Sequence, residues 1–124
     1  MLMISFDELV VTKIWDPKVV HTKKDTWFQM ENRPYYGVCF SVGGQITYTM
    51  HGKTYVSTPD NAILVPQGSS YYRVTDTEGL FPLINFTCTG LACEEIVVIP
   101  LEDPQDCIRR FKILQQMFLV NMKL

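Results

Sequence analysis

The side chains in this sequence that could move a proton, attack a substrate or hold a metal are few and scattered. Of two histidines, His21 is isolated and His51 stands beside Gly52 in a turn. A metal needs three or four convergent ligands, and neither histidine has a partner set near it in sequence. Cys39, Cys88, Cys93 and Cys107 show no CxxC spacing and lie in or beside apolar runs. That pattern reads as buried free thiols in a reducing cytosol rather than a disulfide framework. Glu78, Glu94, Glu95, Glu102 and Asp103 fall in loop-like segments, where they are solvated charge. Catalysis needs a positioned acid, base or thiolate, and no Ser/His/Asp or Cys/His arrangement supplies one. The chain is expected to bind rather than to catalyse, without metal or cofactor.

Composition bounds the partners. At 124 residues the chain is one domain with room for a core, and 47% hydrophobic with 19% charged residues is ordinary for a globular protein. The net charge is −2, and Lys23-Lys24 and Arg109-Arg110 are the only adjacent basic pairs. Phosphate backbones demand clustered cations, so this chain is not expected to bind nucleic acid by itself. Met1 to Glu8 has no basic leader and acquires acids early, and no apolar run approaches bilayer length. A cytoplasmic location without membrane contact is the expectation.

The elements that must position any site are strands. Between Tyr36 and Asn85, β-rich runs alternate with Gly, Pro, Asn and Asp at about 8–12-residue spacing, the mark of an antiparallel sandwich or barrel. Gln45–Met50 turns at His51-Gly52 and returns as Lys53–Ser57. A type I′ turn there sets Tyr48 opposite Tyr55 and Thr49 opposite Thr54. Ala62–Val65 does not alternate and should be covered on both faces. In the run from Tyr71 to Thr75, Tyr71, Arg73 and Thr75 share one face; from Leu80 to Phe86, the set Phe81, Leu83 and Asn85 opposes Leu80, Ile84 and Phe86. Leu9–Trp15 and Val19–His21 predict two strands around Asp16-Pro17, Thr26–Met30 a third, and Ile96–Ile99 a last one.

Near Pro100 the pattern changes, dividing residues 1–100 from a helical segment, 101–124. Asp103-Pro104 reads as N-cap and N1, with Asp106 in the first turn. Cys107, Phe111, Leu114 and Phe118 form one apolar stripe. Ile113, Met117 and Val120 form a second ridge that points elsewhere. A twofold contact between two copies would bury it. The chain stops at Leu124 with neither cap nor charged tail, as if continued in a longer protein.

Arg33-Pro34, Gly43-Gly44, Pro59-Asp60-Asn61 and Pro66-Gln67-Gly68, in that order and ahead of an aromatic pair, resemble the amino-terminal sensor domain of AraC-type transcription regulators. The resemblance implies an all-β fold with a C-terminal helix, a cupin-like double-stranded β-helix or jelly-roll barrel. It departs from metal-binding cupins: Val38, Cys39, Phe40, Ser41, Gln45 and Tyr71 stand where those place histidines and a glutamate. By motif position, the resemblance implies ligand contacts at Arg33, on the strand carrying Tyr71 and Arg73, and at Phe81 and Leu83, with Trp27 a further aromatic candidate. It further implies a small polar effector such as a sugar, and DNA binding through a domain absent from this chain; a homodimer is expected through the ridge of Ile113, Met117 and Val120. The alternatives are a metal-free cupin enzyme such as a sugar isomerase, and a dimerisation module whose barrel is filled by its own side chains.

Overall fold

The runs flanking Asp16-Pro17 become β1 (Val10–Ile14) and β2 (Lys18–Thr22) of the computed structural model, which describes residues 6–123, with side chains as far as 119. Pro17 is buried between them. β3 (Trp27–Met30), β4 (Tyr36–Cys39), β5 (Gln45–Met50), β6 (Lys53–Ser57) and β7 (Asn61–Val65) follow, then β8 (Tyr71–Thr77), β9 (Gly79–Thr89) and β10 (Val97–Pro100). A single helix, α1 (Pro104–Lys123), completes the described chain.

All the pairings are antiparallel. One sheet runs β1-β9-β4-β7-β10, with β2 also against β9; the other runs β3-β8-β5-β6. The eleven-residue β9 is the long central strand, taking β2 along its first half, β1 along its second and β4 on its other edge. Core residues come from both sheets: Cys39, Ile63, Val65 and Phe81 from the first, Ile46, Tyr48, Met50 and Tyr71 from the second. The architecture is therefore jelly-roll-like, all-β with one C-terminal helix. The sheets do not join into a closed ring among the described residues, so the expected barrel is realised as two facing sheets. β8 and β9 are consecutive but lie in different sheets, and the chain crosses between the layers at Glu78.

Local chemistry explains the most regular parts. His51 and Gly52 take positive φ, 52° and 75°, as a type I′ hairpin requires, and Tyr48 faces Tyr55 while Thr49 faces Thr54. Asn61 staples the next turn: its Oδ1 accepts from the Thr58 N–H at 3.1 Å and its Nδ2 donates to Val56 O at 2.9 Å. Ala62 to Val65 are all buried, as their lack of alternation predicts. Ile63 and Val65 join the cluster between the sheets, while Ala62 and Leu64 are buried outside it, as are Phe86 and Phe111.

The helix begins as its sequence predicts. The Asp106 N–H donates to Asp103 Oδ1 at 3.1 Å, an N-cap bond, and Asp106 in turn accepts from Arg109 and Arg110. Phe111 is buried and Cys107, Leu114 and Phe118 are half-buried, whereas Ile113, Met117 and Leu119 are about half exposed at 49%, 56% and 52%. The side chain of Val120, the third member of the expected ridge, lies outside the described residues, as does Leu124. One expectation is corrected here: only Cys39 is buried, and Cys88, Cys93 and Cys107 are half-buried free thiols, because they sit where strands and helix meet solvent.

Candidate functional site

The site is built around an arginine that a loop turns inward. The segment before β4 is bonded to the turn after β7: the Arg33 N–H donates to Ser69 O at 2.9 Å, and Arg33 O accepts from the Gly68 N–H at 2.7 Å. The Asn32 N–H adds a bond to Ser70 Oγ at 3.0 Å. Held this way, Arg33 is only 6% exposed despite its loop position. Its Nε donates to the Tyr71 hydroxyl at 3.3 Å, Nη1 to Tyr35 O at 2.8 Å and Nη2 to Asn85 Oδ1 at 2.7 Å. Gly37 makes the room. A Cβ there would stand 2.5 Å from Nη2.

Strand parity supplies the remaining walls. On β8, Tyr71 and Arg73 face inward; the Tyr71 ring tilts against Tyr48 with centroids 5.6 Å apart, and the Arg73 guanidinium lies 5.2 Å from the Phe28 centroid. On β9, Phe81, Leu83 and Asn85 share the inward face. They enclose a cavity of about 210 Å³ whose polar groups are Lys18, Arg33, Cys39, Tyr48, Tyr71, Arg73 and Asn85. Val20, Met30 and Val65 complete its apolar walls. Burial pushes the Cys39 thiol up, partly offset by the Tyr48 hydroxyl, Arg73 and Arg33. The Tyr48 phenol is driven well above its ordinary value, again mainly by burial, with Arg73 acting against it. Both groups are therefore neutral at physiological pH, and the cavity's fixed charge is that of its cations.

Of the residues singled out in the sequence, Arg33, Tyr71, Arg73, Phe81 and Leu83 meet around this one space. Trp27 does not. It is 66% exposed, pairs with Val74 and points outward; the inward ring of that strand is Phe28. Parity already held the signal, since Phe28 aligns with apolar Met30 and Trp27 with polar Gln29. Asn85 shares its parity with Phe81 and Leu83, and Tyr48 with Ile46 and Met50, so both were readable as inward-facing. Nothing local marks Lys18. Two larger concavities, of about 430 and 690 Å³, lie against the start of α1 and beside Glu94–Val98. Neither gathers a comparable set of converging donors.

No family model matches the sequence, and no curated protein matches it. Solved structures do. The fold resembles that of ToxT from Vibrio cholerae, an AraC-family regulator. Its apo crystal structure superposes with a TM-score of 0.58 at 11% sequence identity, covering 85% of this chain. The chain spans about half of that protein, 46% of its length. At this identity the likeness establishes the architecture alone. Among the described residues, no helix is long and apolar enough to cross a membrane.

Proposed function

We propose that this chain is the effector-binding and dimerisation domain of an AraC-type transcription regulator, with the effector held between the two sheets. The observation that carries the reading is the open cavity into which Arg33, Tyr71, Arg73 and Asn85 converge, in a fold shared with a regulator of that family. Small-molecule sites are concave, mostly apolar and furnished with a few placed polar groups, which describes this space. A module filled by its own aromatic side chains would leave no such volume. Catalysis is disfavoured because the lining holds neither carboxylate nor imidazole, and burial holds the Cys39 thiol and the Tyr48 phenol protonated. The ridge of Ile113, Met117 and Val120 is the proposed dimer contact, and DNA binding is assigned to a further domain.

Native mass spectrometry of the purified chain after incubation with a metabolite extract tests this. A retained small molecule, lost from Leu83→Trp, which fills the cavity, is the expected result. An adduct that survives the filled cavity, or none at all alongside an unchanged melting temperature, removes the reading.

A further inference from the structure

The geometry points to a small organic carboxylate with an apolar body as the ligand, an assignment that rests on the cavity being the binding site. Three of the chain's 11 basic residues, Lys18, Arg33 and Arg73, line this one space, and none of its 13 acids does. Arg33 is buried, yet its bonds go to a phenol, an amide oxygen and a backbone carbonyl, all neutral. None of the ion pairs found among the described residues includes any of the three cations. A desolvated cation is costly unless a counter-charge meets it, so buried charges in proteins are normally paired. Here Arg33 lines a cavity and has no ion-pair partner among the described residues.

The donor geometry narrows the class. The three bonds occupy three of the five N–H donors of Arg33, leaving two for an incoming acceptor. A carboxylate can accept two parallel N–H bonds from a guanidinium. Exposure increases from buried Arg33 through half-buried Arg73 to exposed Lys18, so positive charge extends from the floor to the rim. Such an arrangement draws an anion inward. A neutral sugar would satisfy donors while leaving the charge unmatched. Inorganic phosphate would meet the charge but waste the walls of Val20, Met30, Phe81 and Leu83. The volume limits size as well: at about 30 Å³ per water it equals roughly seven waters, room for a compact acid rather than a long acyl chain.

A two-dimensional NMR titration of the chain tests this with benzoate and hexanoate, their neutral amides benzamide and hexanamide, D-ribose and inorganic phosphate. The expected result is that the carboxylates shift β8 and β9 amides beside the cavity and bind at least about tenfold tighter than every other probe. Arg73→Gln should weaken carboxylate binding by at least about tenfold, with an otherwise native spectrum. Arg73 is the residue to change because Arg33 also ties the loop to the sheets. Amides, ribose or phosphate binding as tightly at the same residues would overturn the carboxylate class and leave the binding cavity standing. Cavity amides unmoved by every probe would overturn the binding-site reading, and this inference with it.

Discussion

The interior between the sheets and the outer ridge of α1 depart from the usual partition of side chains in opposite directions. Inside, Arg33 is buried among neutral partners; outside, Ile113 and Met117 stand half exposed on a helix whose other stripe is turned inward. A cation without counter-charge and an apolar ridge without cover are both costly to keep. The cavity is the better-built departure, since three directed hydrogen bonds and a glycine made to fit hold its guanidinium. The ridge has no such fixed geometry. Directed bonds suit a ligand of one shape, whereas an apolar ridge suits a partner surface that packs.

The comparison is broken most forcefully at Phe81, 1% exposed and shared by core and cavity. Phe81→Ala should cost about 3–5 kcal/mol, through lost burial and an enlarged void. Urea unfolding measures it. A loss below about 1 kcal/mol would mean that the cavity end is not part of the cooperative core. Gly37→Ala comes next. The new methyl must displace a guanidinium held by Asn85 and Tyr35, at a cost of about 1–3 kcal/mol from crowding and broken bonds. Wild-type stability in that variant would show that Arg33 moves freely and is not preorganised.

At the helix the expected effect on stability is smaller and of another kind. Ile113→Glu with Met117→Glu removes apolar surface that is already half exposed, so folding stability should change by only about 0.5 kcal/mol. Association should change completely. Sedimentation is expected to show a wild-type dimer and a monomeric double variant; a wild type monomeric at high concentration refutes the proposed contact.

What the sequence disclosed, and what it hid, follows the range of the interactions involved. The His51-Gly52 hairpin, the Asp103 cap and the inward parity of Tyr71 with Arg73 and of Phe81 with Leu83 depend on neighbours a few residues away, and were legible. The depth of Arg33 was not. It is fixed by Tyr71 and Asn85, 38 and 52 residues distant, and by the absence of a side chain at Gly37. A loop arginine ahead of a proline is a surface residue by local rules, and long-range bonds alone bring it inside. Trp27 failed differently: of the two adjacent aromatics, the polarity of the residue two places on selects Phe28, which aligns with apolar Met30, and not Trp27, which aligns with Gln29. Lys18 reaches the rim only because β2 pairs with β9, a register no local pattern announces.

The smallest effects separate the two regions along the pH axis. In the cavity, burial raises the folded-state pKa of both Cys39 and Tyr48. For such groups stability is fully present below the ordinary thiol and phenol values, about 8.5 and 10, and is lost as pH rises beyond them toward the folded-state values. At the helix, hydrogen bonds from Arg110 and then Arg109 hold the Asp106 carboxyl below its usual range. Its contribution is present above the ordinary aspartate value, about 3.9, and disappears as pH falls through that value toward the folded one. Asp106 is solvent-accessible, so salt screens its share and the acid loss should be slight. Melting temperature followed between about pH 3 and about pH 11 should therefore fall more on the alkaline side. Tyr36, Cys88 and Cys93 are also raised by burial and share the alkaline limb, so the variant Tyr48→Phe should flatten that limb only in part. Asp106→Asn should flatten the acid limb, and less so in high salt. An alkaline limb unchanged by Tyr48→Phe would mean that burial does not hold that phenol protonated, and the contrast between a buried, charged interior and a solvated helix would fail there.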